Sequence, residues 1–161
     1  MNDEKFEFIK WSGAFSCGVK VIDDQHKKLL NMINEMYAHI TGSEEADNNY
    51  LLNITHETVK YIKTHFATEE KIMIATRYHD FIAHKKVHDS FILTIISIIS
   101  DISDGRKISL FSFTKFLKNW IYSHITVMDR CYFEHLNRIA AYKNDENLGI
   151  SKPDFKAAAG A

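Results

Sequence analysis

Apolar residues recur at the i, i+3, i+4 and i+7 positions of an amphipathic helix in four long stretches of the chain. The first starts near Asp23 and Asp24, either of which can cap it, carries Leu29, Leu30, Ile33, Met36, Tyr37 and Ile40, and stops at Gly42. The second runs from about Asn49 to Thr76 through Leu52, Val59, Ile62, Phe66 and Met73. The third begins near Asp80, carries Phe81, Phe91, Ile92, Ile95, Ile99 and Ile102, and ends at Asp104 and Gly105. The fourth runs from about Ser109 to Ala140 through Leu110, Phe113, Leu117, Trp120, Ile121, Val127 and Met128. Short polar links between long helices make neighbours antiparallel. The pattern therefore predicts an all-α, antiparallel up-down-up-down four-helix bundle over residues 23–140.

The flanks read differently. Residues 1–22 form an N-terminal arm whose Phe6, Phe8, Ile9, Trp11 and Phe15 are too aromatic for a solvated tail, so it is expected to lie against the bundle. Residues 141–161 turn polar, and the closing AAAGA reads as a frayed end or an appended remnant. A chain of 161 residues with 45% apolar and 25% charged composition suits a single domain with its own core. The lone proline, Pro153, leaves the helical stretches uninterrupted.

Charge and cysteine content remove several partners. A net charge of -1 with both signs interspersed gives no footprint for nucleic acid and no polybasic segment for a membrane surface. The opening MNDEKFEFIKW lacks the apolar stretch of a secretory signal, and the most apolar run, Phe91 to Ile99, is too short to span a bilayer. A cytoplasmic location is the expectation. Cys17 and Cys131 have no CxxC spacing and form a disulfide only if the fold brings them together, which a reducing compartment opposes.

The chemistry lies in histidines that fall on the apolar stripes. His26 continues the line of Leu30, Ile33 and Tyr37, and His65 and Glu69 are i and i+4 in register with Ile62 and Met73. His84 and His88 are i and i+4 beside Phe81, Ile92 and Ile95, and His124 extends Leu117, Trp120 and Ile121. One inward histidine is usually a satisfied core residue. Five with a carboxylate would each cost several kcal/mol of desolvation unless paired, and metal coordination pairs them at once. Imidazole and carboxylate donors suit iron, zinc, manganese or copper, and the lack of thiolates argues against structural zinc. His39, His56, His79 and His135 fall at helix ends or beside polar residues and read as solvated.

Asp129 does not belong to the cluster by spacing. Five residues beyond His124 it lies about 140° round a regular helix, so with Arg130 it reads as an exposed charge pair. Facing the site would need a local widening of the helix or a site approached from both flanks.

Four segments, GVKVIDDQHKKL, YIKTHFATEEKIM, HDFIAHKKVHDSF and LKNWIYSHITVMD, follow in order the patterns D-x-Q-H, H-F-x-x-E-E-x-x-M, H-x-x-x-H and W-x-x-H-I-x-x-x-D. In these residues the chain resembles the bacterial hemerythrins. The resemblance implies two irons (Fe2+/Fe3+): His84, His88 and His124 on one, His26 and His65 on the other, with Glu69, Asp129 and an oxo or hydroxo group bridging. It thereby includes Asp129, and it implies that Trp120, Ile121 and Ile125 line the O2 site. Glu70, turned about 100° from Glu69, is expected to face solvent. His79 stands where the family commonly has proline, and Ile121 where it often has leucine.

Under this resemblance three histidines and three bridging atoms fill six positions on the first iron. Two histidines and three bridges leave the second one short, so ligand is expected at the His26/His65 iron. The expected function is reversible O2 binding for storage, delivery or sensing, without catalysis, with azide or nitric oxide as analogues. Any signalling partner would be a separate protein. The alternative is a di-iron enzyme acting on peroxide, nitric oxide or O2. Ferritin-like oxidases carry Glu-x-x-His repeats, and no glutamate here has a histidine three residues later.

Overall fold

The computed structural model describes residues 7–146. Four antiparallel rods are formed by α1 (Lys20–Ala38), α2 (Glu44–Ala75), α3 (Phe81–Ser103) and a fourth in three parts. That fourth rod is α4 (Leu110–Ser123), a π turn (His124–Met128) and α5 (Asp129–Glu146). Helix α1 packs on α2 and α4, and α2 on α3. Among the described residues no helix is long and apolar enough to cross a membrane.

Several boundaries depart from the periodicity. Helix α1 starts at Lys20, inside the expected arm, because Asp23 is not its cap: the Asp23 carboxylate accepts from the Ser16 hydroxyl (2.7 Å) and the Cys17 amide (2.8 Å) instead. Helix α2 starts at Glu44, ahead of the expected Asn49, and α5 continues past Ala140 to Glu146. Residues 147–161, with Pro153 and the AAAGA end, and residues 1–6 lie outside the described part. Helix α3 ends as its glycine suggests: Gly105 adopts φ 79°, and the Arg106 amide reaches back to the Asp101 carbonyl (2.9 Å). Arg77 takes the same role after α2 at φ 53°, with the Tyr78 amide on the Met73 carbonyl (2.9 Å).

The arm lies on the bundle. Asn34 of α1 clips it through both backbone groups of Ile9, accepting from its amide and donating to its carbonyl, each at 2.9 Å. Phe8 stacks on Tyr37, and Phe15 is buried. Both cysteines are free thiols, Cys17 buried and Cys131 exposed. Burial pushes the Cys17 thiol up to about 12, so it stays protonated.

Two apolar clusters bracket a polar layer. One contains Leu29, Ile62, Phe66, Phe91, Ile121 and Ile125, the other Ile22, Met73, Tyr78, Tyr132 and Phe133. Along every rod the inward histidines fall between the two: His26 between Ile22 and Leu29, His65 and Glu69 between Ile62 and Met73. His84 and His88 precede Phe91, and His124 and Asp129 lie between Ile121 and Tyr132. Each core side chain contributes about 1.5–3 kcal/mol of burial, so both ends of the bundle hold the polar layer closed.

Candidate metal centre

All seven residues singled out as metal ligands converge in this layer, and all are buried, Glu69 and Asp129 completely. Their donor atoms form two groups. In the first, the Nε2 atoms of His84 and His88 are 3.1 Å apart and those of His88 and His124 are 3.0 Å apart. Asp129 Oδ1 approaches His84 and His124 to 3.2 and 3.1 Å, and Glu69 Oε2 approaches His88 to 3.4 Å. With metal–ligand bonds of about 2.1 Å, neighbouring corners of an octahedron are about 3.0 Å apart, so this spacing suits one ion.

The second group is His26 and His65 with the other carboxylate oxygens. Asp129 Oδ2 is 3.9 Å from His26 Nε2, and Glu69 Oε1 is 3.7 Å from His65 Nε2. Each carboxylate thus turns one oxygen to each group, the disposition a bridging ligand requires.

Asp129 reaches this position through the π turn. Its amide bonds to the His124 carbonyl, five residues back, so the extra residue in the turn returns it to about the face His124 occupies. Of the two possibilities spacing leaves open, local widening is the one observed. The exposed pairing with Arg130 is corrected: Arg130 lies instead near Glu134 (4.0 Å).

Three histidines are oriented from behind. His26 Nδ1 donates to the Phe15 carbonyl (2.8 Å), His65 Nδ1 to the Gln25 amide oxygen (3.0 Å), and His88 Nδ1 to Glu70 Oε1 (3.1 Å). Gln25 in turn donates to the Thr68 hydroxyl (3.1 Å). A proton held on Nδ1 leaves the Nε2 lone pair directed into the site. Aromatic faces complete the cradle: Phe66 stacks on His88 with centroids 3.7 Å apart, and Trp120 on His124 at 4.4 Å.

Glu70 is therefore not the solvent-facing residue its 100° offset suggests. Its rotation carries it into the α2/α3 groove, where it meets His88 and, at 3.8 Å, Lys85. Gln25 sits inside the D-x-Q-H pattern, where its adjacency to His26 was the available signal. Phe15 offers only a backbone carbonyl, for which no side-chain signal exists. Of the four remaining histidines, His39, His56 and His79 are exposed as expected. His135 is half-buried, its Nε2 donating to the Thr76 carbonyl (2.9 Å) and tying α5 to the end of α2.

The electrostatics define what the residues lack. Burial drives the imidazoles of His65 and His88 down to about 3 and about 2, and lowers His26 as well, so all three are neutral. Burial also opposes charge on His124, but the Asp129 and Glu69 carboxylates outweigh it and raise His124 to about 9. Burial raises Glu69 to about 8, with Asp129 adding like-charge repulsion. Asp129 is itself buried, yet the adjacent His124 and His84 hold it well below the usual carboxylate range. One imidazolium–carboxylate pair thus leaves the remaining donors uncompensated. The Nε2 atoms of His26 and His65, both oxygens of Glu69 and Oδ2 of Asp129 are buried without hydrogen-bond partners. Orphaned buried donors cost about 1–3 kcal/mol each, and cations in the two groups would satisfy all of them. The donor set fits a pair of metal ions.

Beside the His65 and His124 rings is a cavity of about 10 Å³, lined otherwise by Leu29, Ile62, Phe66, Trp120, Ile121 and Ile125. That volume is room for about one water-sized molecule, and apart from the two imidazoles its lining is aliphatic and aromatic.

An antiparallel four-helix bundle with two histidine–carboxylate donor groups sharing both acids is a helical protein able to hold a pair of metal ions. Residues 17–136 match the hemerythrin HHE cation binding domain, and the chain belongs to the hemerythrin family. It is 31% identical over 136 residues to a bacteriohemerythrin of Stenotrophomonas maltophilia, covering 82% of this chain and 86% of that protein. A myohemerythrin of Theromyzon tessulatum is 27% identical over 126 residues, covering 78% and 92%. A crystal structure of wild-type hemerythrin superposes with a TM-score of 0.70 at 27% identity, covering 80% of this chain and 98% of that one.

The histidines provide an internal contrast. His84→Ala is expected to lose most bound metal and to lower the thermal midpoint, because it removes one donor and leaves a polar void. His56→Ala should match the parent protein, since its ring is exposed and bonded only to the Leu52 carbonyl. Metal analysis and thermal melts of both variants test this, and equal metal content would overturn the assignment of faces.

Proposed function

We propose that this protein binds O2 reversibly at a non-haem di-iron centre, with His84, His88 and His124 holding one iron and His26 and His65 the other. Glu69 and Asp129 bridge them, together with a solvent-derived oxo or hydroxo group. The observation that carries the reading is the pairing of carboxylate oxygens: Oε2 and Oδ1 face the three-histidine group, Oε1 and Oδ2 the two-histidine group. When bound, a ferrous pair supplies two electrons to O2, one from each ion.

The chain's own residues do the rest. Five protein donors converge on the three-histidine side and four on the other, so the His26/His65 side keeps the place for an external ligand. Leu29, Ile62, Trp120, Ile121 and Ile125 wall that place with hydrocarbon and exclude water, which hinders loss of reduced oxygen to solvent. The Nδ1 hydrogen bonds of His26 and His65 keep those rings fixed during binding and release. The ionisable groups lining the cavity, His65 and His124, are both committed to metal in this reading, which leaves no free general acid there and supports a carrier, store or sensor over an enzyme.

The deciding experiment is an anaerobic O2 titration of the reduced, iron-loaded protein followed by visible absorption, then removal of O2. Recovery of the starting spectrum is expected, and azide should bind the oxidised protein. Ile121→Ala should keep its iron but oxidise faster in air as water enters the cavity. Failure to recover the reduced spectrum, or continuous consumption of reductant, would move the assignment to a di-iron enzyme.

A further inference from the structure

The groups behind the ligand histidines are not alike on the two sides. On the His26/His65 side both acceptors are neutral, the Phe15 carbonyl and the Gln25 amide. On the other side His88 Nδ1 donates to a carboxylate, Glu70 Oε1, at 3.1 Å. Lys85 keeps Glu70 in place, with its ammonium 3.8 Å from Glu70 Oε2 and 2.7 Å from Asp89. Glu70 is only partly covered, with its side chain 21% exposed in the α2/α3 groove. No Glu70 oxygen belongs to either donor group, so it acts through His88.

An imidazole that donates to a carboxylate is a stronger base toward its metal than one that donates to an amide or carbonyl. A nearby anion also favours the more positive oxidation state of the ion it faces. From this asymmetry we infer that Glu70 is a positioning residue that makes the three-histidine iron the more readily oxidised of the two. This rests on the di-iron reading above. When one electron leaves the diferrous pair to ferricyanide, which becomes ferrocyanide, it leaves from the iron held by His84, His88 and His124. The iron with the open place would stay ferrous, while the closed iron would carry the ferric charge beside its carboxylate.

The test exchanges the two acceptors. Wild-type protein, Glu70→Gln, Gln25→Glu and the double variant are loaded with iron, checked for two irons per chain, and titrated against redox dyes. Glu70→Gln is expected to shift the equilibrium with the dye toward the reduced protein by at least tenfold, which for one electron is about 59 mV. Gln25→Glu should shift it the opposite way. The one-electron-oxidised forms are then treated with azide, whose ligand-to-metal absorption requires a ferric ion with an open position. Wild type should give a weak band and the double variant a strong one. A merely structural role for Glu70 would alter iron content without moving ferric character between the sites. An iron pair in Glu70→Gln with an unchanged potential overturns the inference alone. If Glu70→Gln holds no iron, an unshifted potential in Gln25→Glu overturns it. A wild-type protein that holds no iron pair overturns both readings.

Discussion

Replacing Asp129 with asparagine is expected to cost more metal than the loss of any single histidine, because Asp129, like Glu69, is shared by both groups. Its Oδ1 is 3.2 and 3.1 Å from the Nε2 atoms of His84 and His124, and its Oδ2 is 3.9 Å from that of His26. The amide keeps the shape but loses the charge, and it offers only one oxygen. One of the two groups then faces an N–H where it needs a lone pair. Removing partners behind metal ligands typically costs about 10–100-fold in affinity, so loss of a shared donor should exceed about 100-fold, with occupancy falling to one ion per chain or fewer. In the metal-free protein the same change removes the partner that keeps His124 charged, and the fold should lose about 3 kcal/mol. Metal analysis after dialysis, with urea unfolding of the chelated protein, measures both effects. Two tightly held ions in Asp129→Asn would remove the bridge from the site.

That residue also marks the limit of what the sequence could reveal. Periodicity found the four rods and placed five histidines and Glu69 inward, because a stripe at i, i+3 and i+4 has a direction that holds as long as the helix is regular. Asp129 defeats it, since one extra residue in the turn His124–Met128 shifts everything after it by about 100°. Only the resemblance of W-x-x-H-I-x-x-x-D to a known pattern included it. Glu70 and His135 escape periodicity for another reason. A polar residue off the main stripe reads as solvent-facing, whereas the grooves between helices accept side chains at oblique angles. The arm was correctly expected to dock, but its function in the site, a backbone carbonyl on His26, depends on the Asn34 clip and the Asp23 contacts. The clip joins residues 25 apart in sequence, which no local pattern encodes.

The metal-free protein is expected to be most stable near pH 6.5 and to lose stability on both sides. The acid side follows from His65 and His88, whose folded values of about 3 and about 2 lie below their ordinary 6.5. Below pH 6.5 the unfolded chain takes up protons these buried rings refuse, so stability falls as pH falls, by about 1.4 kcal/mol per unit for each net proton. Glu69 partly offsets this, because it holds in the folded state a proton that the unfolded chain releases above its ordinary 4.5. The alkaline side follows from Glu69 and His124, raised to about 8 and about 9. Between pH 6.5 and 8 both keep protons that unfolding releases, so stability falls as pH rises, and from 8 to 9 His124 alone continues the fall. Metal ions reverse the alkaline limb, because coordination requires both groups deprotonated and replaces their protons with a cation. Binding near pH 7 should therefore release about two protons per chain and tighten up to about pH 9. Chemical unfolding of chelated and metal-loaded protein from pH 4.5 to 9, with proton release followed by a pH indicator, tests both limbs. A metal-free protein whose stability kept rising to pH 9 would mean that Glu69 and His124 do not hold those protons.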